Sequence, residues 1–125
     1  MVSEYSKLQA MYFCYQYEEM RENLFNIENT LKSPNYKSDS HSAPGTSTTE
    51  NAAIRAARLS RRIEIIENAV KAVTKKDPIL YPYILKGITD EYATFDYLVS
   101  HGMPLCRNNY YKKRRKVLEI IANHL

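Results

Sequence analysis

The sequence predicts an all-α chain on three observations. Apolar residues recur at alternating spacings of three and four over two long stretches. Glycine occurs only three times and tryptophan not at all. Runs of Leu, Glu, Lys, Ala and Arg at helical spacing leave no room for a sheet. With 125 residues, 44% of them hydrophobic, the chain can bury one modest core or two small helical units. The expected architecture is a long N-terminal helical hairpin followed by a C-terminal three-helix unit.

Residues 1–32 read as one heptad helix, Ser3 to Leu31, because Phe13, Tyr17, Met20, Leu24, Ile27 and Leu31 form a continuous stripe. Its outer face carries Glu18, Glu19, Arg21 and Glu22, and Ser33-Pro34-Asn35 supplies the stop, since proline disfavours helix at the residue before it. Residues 33–48 (SPNYKSDSHSAPGTST) hold almost nothing apolar and cannot repay the entropy of ordering, so they read as a flexible polar linker. A second heptad helix, residues 49–76, opens on Ser47-Thr48-Thr49-Glu50, a capping box in which the serine hydroxyl and the glutamate carboxylate satisfy each other's backbone N–H.

That second helix carries Ala52, Ala56, Leu59, Ile63, Ile66, Val70 and Val73. Two such stripes suit an antiparallel hairpin, a dimer seam, or both. Leu24, Ile27, Leu59, Ile63, Ile66 and Val70 are the candidate self-association residues. Pairing within one chain leaves Leu8, Met11, Tyr12, Tyr15, Ile54 and Ile65 still needing cover, which a homodimer would supply. The competing reading covers them with the C-terminal unit and leaves a monomer. Arg55, Arg58, Arg61 and Arg62 flank the stripe, as a solvated face or as a second contact surface.

Residues 77–125 change character. Asp77-Pro78 is a helix start, although Pro82 can move it to that residue, and Gly87 is a natural stop. Thr89 or Asp90 caps the next helix, Glu91 to Ser100, which would bury Tyr92, Phe95, Leu98 and Val99 and end at His101-Gly102. Pro104 separates it from a last helix, Cys106 to Asn123, with Tyr111, Leu118, Ile121, Ala122 and Leu125 inward.

The distribution of the +4 net charge points to a partner. Residues 1–32 hold three basic and five acidic side chains, a balance of −2; residues 33–77 hold eight and five, and residues 78–125 seven and four, +3 each. Six of the basic residues crowd between Arg107 and Lys116, a density suited to a polyanion. Three helices with a short turn before the longest and most basic match a helix-turn-helix, whose last helix lies in the major groove with its first turn at the base edges. Arg107, Asn108 and Asn109 are chemically able to read bases, arginine by two bonds to guanine and asparagine by two to adenine. Tyr110, Lys112, Lys113, Arg114, Arg115 and Lys116 would hold phosphates, with Tyr110 equally able to pack on the preceding helix. Double-stranded DNA is preferred to RNA because no aromatic stacking platform on a sheet is visible.

The C-terminal stretch ILKGITDEYATFDYLVSHGMPLCRNNYYKKRRKVLEIIANHL resembles the RinA/ArpU type of late-gene transcriptional regulators of phages and prophages of Gram-positive bacteria. Those proteins end in a sigma-region-4-like helix-turn-helix with a Pro-x-Cys/Ser turn, a Tyr pair and a basic run. The matching positions are Pro104, Cys106, Arg107, Tyr110, Tyr111, Lys113, Arg114 and Arg115, and a weaker likeness lies in TENAAIRAARLSRRIEIIENAV. The resemblance implies control of late or packaging genes, with host RNA polymerase as a further partner.

Enzymatic chemistry is not expected. His41, His101 and His124 have no metal-ligand spacing to one another or to Cys14 and Cys106, and no phosphate-cradling glycine loop or nucleophile elbow is present. No cofactor, metal or membrane partner is expected, and two distant cysteines without a secretory segment suit a soluble protein of the reducing cytoplasm. Two alternatives stand beside the regulator: a phage terminase small subunit, with heptads building a ring, and a helical protein-interaction adaptor.

Overall fold

Helix follows helix through the computed structural model, which describes residues 2–32 and 48–125. The elements are α1 (Glu4–Cys14), α2 (Tyr17–Lys32), α3 (Thr48–Val73), α4 (Tyr81–Thr89), α5 (Phe95–Ser100) and α6 (Arg107–Ala122), with a 3-10 turn at Pro78–Leu80 leading into α4. No strand occurs among the described residues. The expected linker and the Ser47 cap lie outside the described residues, apart from Thr48, which already belongs to α3. No helix among the described residues is long and apolar enough to cross a membrane.

The single N-terminal helix expected from the heptads is two helices. The Ser3 hydroxyl caps α1 by accepting from the Ser6 N–H at 3.1 Å. Its last turn then tightens, the Gln16 N–H donating to the Phe13 carbonyl at 3.2 Å, and α2 restarts at Tyr17. Neither proline nor glycine marks this break, so the apolar pattern runs straight across it.

The chain divides into two compact units: the residues up to Tyr17 together with Glu64–Leu125, and Glu18–Ile63. The expected C-terminal unit at 77–125 is therefore incomplete. It also contains α1 and the end of α3. Within this first unit α6 packs chiefly on α1 and then on α4, and α1 also meets α4. Ala10, Cys14, Ile66, Val70, Ile84, Ile88, Val117 and Ile121 are wholly buried there. Each large aliphatic side chain among them contributes on the order of 1.5–3 kcal/mol by leaving water. The Tyr17 hydroxyl donates to Glu67 Oε2 at 2.5 Å, which satisfies a phenol that is itself buried.

Gly87 does not stop α4. The helix runs on to Thr89 because Gly87 is buried where a Cβ would collide with the Tyr110 hydroxyl and stand 3.1 Å from Leu98 Cδ1. Its missing side chain admits a neighbour and ends nothing. The next helix is also shorter than expected. Asp90 Oδ1 accepts from the Tyr92 N–H at 2.9 Å, a local turn that competes with helix, and the true cap is Thr94, whose hydroxyl accepts from the Tyr97 N–H at 3.1 Å. That Tyr92 amide, and then Lys86 with Nζ 3.1 Å from Asp90 Oδ2, holds the Asp90 carboxyl below its ordinary value. Tyr92 and Val99, expected inside, are exposed, whereas Leu98 is buried. Gly102 does end α5 as expected: its φ of 101° is a left-handed value, and the Met103 N–H returns to the Leu98 carbonyl at 3.0 Å.

In the second unit Met20, Ala52 and Ile63 are buried and Leu24, Ile27 and Leu59 half-buried. This corrects the self-association set. Ile63, Ile66 and Val70 are covered within one chain and cannot also line a seam between two.

Candidate nucleic-acid interface

The phase of α6 decides what it can present. Tyr110, Val117, Leu118 and Ile121 face the core: Leu118 and Ile121 are inward as expected, Tyr110 takes the place of the expected Tyr111, and Tyr111 and Leu125 are exposed. With that face inward, Asn108, Asn109, Lys112, Arg115 and Lys116 are exposed, while Lys113 and Arg114 are half-buried.

Tyr110 leaves the phosphate set. It is 2% exposed, and its hydroxyl fills the space over Gly87. Burial pushes its phenol above the ordinary value, with the Arg114 guanidinium pulling the other way. Burial likewise raises the Cys14 thiol to about 12, again opposed by Arg114. Arg114 therefore acts on two buried groups, Tyr110 and Cys14, and is itself half-buried. Four cations of the expected run, Lys112, Lys113, Arg115 and Lys116, remain to face a polyanion.

An aromatic cluster joins α5 to α6. The Phe95 ring lies 5.7 Å from Tyr110 and 6.4 Å from Tyr111, and those two tyrosines meet edge-on at 5.0 Å. The Arg107 guanidinium sits 4.7 Å over the Phe95 ring, with Nη2 3.5 Å from Asp96 Oδ1. Both partners of that ion pair are largely exposed, so it holds Arg107 by at most about 1 kcal/mol. The three candidate base readers thus differ. Asn108 and Asn109 stand exposed on the first turn of α6, whereas Arg107 is bent back toward α5.

Beside α6 runs a groove of about 970 Å³, its other wall made by the end of α3 and the turn after it. Lys75, Lys76, Lys112, Lys113, Arg115 and Lys116 line it, against Asp77 and Glu119. Lys75 and Lys76 had no place in the site expected from sequence, because lysines at a helix C-terminus are ordinary partners of the helix dipole. Only the approach of residues 75–77 to α6 sets them apart. Within the second unit a smaller groove, about 540 Å³, is lined by Arg55, Arg58 and Arg62 with Asn23, Asn26, Ile27 and Leu59.

Among the described residues no group of three or more His, Cys, Asp or Glu stands together in a way that could hold a metal ion. No known family, curated protein or solved structure matches this chain.

Proposed function

We propose that this protein is a sequence-specific double-stranded-DNA-binding transcriptional regulator, with α5 and α6 as its helix-turn-helix and α6 as the recognition helix. One observation carries the reading: a 16-residue helix, packed on α1 and α4, presents two exposed asparagines on its first turn and a ridge of cations directly behind them. Asparagine amides pair bidentately with adenine in the major groove. The cations neutralise phosphates, which position a helix without reading it. No catalytic role enters this reading.

The resemblance to RinA/ArpU-type regulators supports control of late or packaging genes in a phage or prophage, in the cytoplasm and together with host RNA polymerase. A homodimer through the half-buried Leu24, Ile27 and Leu59 would bring two α6 helices to successive half-sites, the usual source of specificity for a small reader. Selection of bound duplexes from a random pool tests the reading. One enriched motif is expected, and Asn108→Ala or Asn109→Ala should relax it at one position with non-specific affinity nearly unchanged. A pool that never departs from random composition would sink sequence-specific recognition.

A further inference from the structure

We infer that Lys75 and Lys76, in the turn after α3, bind the phosphate strand that flanks α6 on the side away from α5. This rests on the DNA reading and adds a second binding wall to it.

A helix about 10–12 Å across fills a major groove about 12 Å wide, so one phosphate strand runs along each of its flanks. The two flanks of α6 are already distinct. Arg107 and Tyr111 face the Phe95 ring of α5. Asn109 and Lys113, two positions further on and therefore about 200° round the helix, face the groove whose far wall carries Lys75 and Lys76. A strand entering that groove would have Lys113 and Lys116 on one side and Lys75 and Lys76 on the other.

Both wall lysines are exposed, and neither forms an ion pair among the described residues. Their backbone is nonetheless fixed. The Thr74 N–H donates to the Val70 carbonyl at 2.9 Å and the Asp77 N–H to the Thr74 carbonyl at 3.0 Å, while the buried Thr74 hydroxyl returns to Val70 at 2.8 Å. Free ammonium groups on a pinned turn lose little on meeting a phosphate, because only the side chains remain to be ordered. A role limited to complementing the α3 dipole would leave DNA binding indifferent to them.

The test uses the full chain with Lys75→Gln and Lys76→Gln combined, titrated from 50 to 200 mM salt against a 30-base-pair duplex of random sequence and against the duplex preferred in selection. The slope of log affinity against log salt should fall by about one to two units, on the order of one for each phosphate no longer neutralised, with the selected motif unchanged. Lys71→Gln with Lys86→Gln removes the same charge outside the groove and should leave the slope near that of the wild type. Thermal unfolding followed by circular dichroism checks that both variants fold, and a single Lys76→Gln replaces the double variant if it does not. An unchanged slope in a folded groove variant overturns the inference while the DNA reading stands. An equal fall in the control variant also overturns it, since net charge would then be the cause. Wild-type protein with no salt-dependent duplex binding, or with tighter binding to single-stranded RNA of the same length, overturns the DNA reading itself.

Discussion

The two units are written in the same pattern, apolar residues three and four apart, yet they bury it to different depths. In the first, Ile66, Val70, Ile84 and Ile121 have no exposed surface; in the second, Leu24, Ile27 and Leu59 keep part of theirs. The stripe is equally regular in both. What differs is how many helices converge on it. Buried side chains reach the first core from α1, the first residue of α2, the end of α3, α4, α5 and α6, whereas the second has only the rest of α2 and the beginning of α3. Periodicity therefore reports that a helix has an apolar face, and tertiary packing decides how much that face is worth.

The sharpest way to break this comparison is to cut equivalent side chains in both units. Ile121→Ala should cost about 2–5 kcal/mol in urea unfolding, the range for a cavity in a packed core. Leu24→Ala and Leu59→Ala should each cost much less, about 1 kcal/mol, because part of the deleted surface already faces water. Equal costs would mean that the second unit is as well covered as the first.

Next in size is Gly87→Ala. The new methyl meets the Tyr110 hydroxyl, an overpacking that should cost about 1–3 kcal/mol. Adding Tyr110→Phe removes the colliding oxygen, so the double variant should be more stable than Gly87→Ala alone. Strict additivity of the two changes would show that the collision is not with that hydroxyl. Thr94→Ala, which deletes the α5 cap, should cost about 1 kcal/mol and leave the second unit untouched.

Near neutral pH the smallest effect on stability belongs to the cysteines. Cys106 is exposed and Cys14 buried, with a thiol raised to about 12. At pH 8 a thiol reagent should label Cys106 in the folded protein and reach Cys14 only on unfolding. The sign of the pH effect follows from the same shift. Folding favours the protonated Cys14 thiol, so this contribution is complete below the unfolded value near 9 and is lost as pH climbs toward about 12. Rapid labelling of both thiols at pH 8 would show that α1 does not stay docked.

Much of this was legible in the sequence. The all-helical class, the glycine cap at Gly102 and the position of α6 followed from spacing and local backbone chemistry. The rest required contacts between distant residues. Gly87 looks like a stop because a glycine's use is ambiguous until its neighbour is known, and here the neighbour is Tyr110, twenty-three positions later. Of the adjacent tyrosines 110 and 111, either could face inward; packing on α1 and α4 selects the first. Lys75 and Lys76 carry no local signal that separates a helix end from the wall of a groove. The base-reading assignment of Asn108 and Asn109 rests on exposure and residue chemistry, and selection from a duplex pool is its test.

The docking of α1 on α6 sets an order of events during synthesis. Cys14 leaves the ribosome roughly ninety residues before Arg107, so at about 5–20 residues per second the first helix waits some 5 to 20 seconds for the one it covers. Until then α1 can meet α4 but not α6, its main partner, and the loop between α1 and α6 spans most of the chain. A nascent chain halted before α6 would hold finished helices without a finished core, and would be a natural client for chaperones. For the same reason, a fragment beginning at Asp77 should behave as a collapsed peptide, even though it contains every residue of α6.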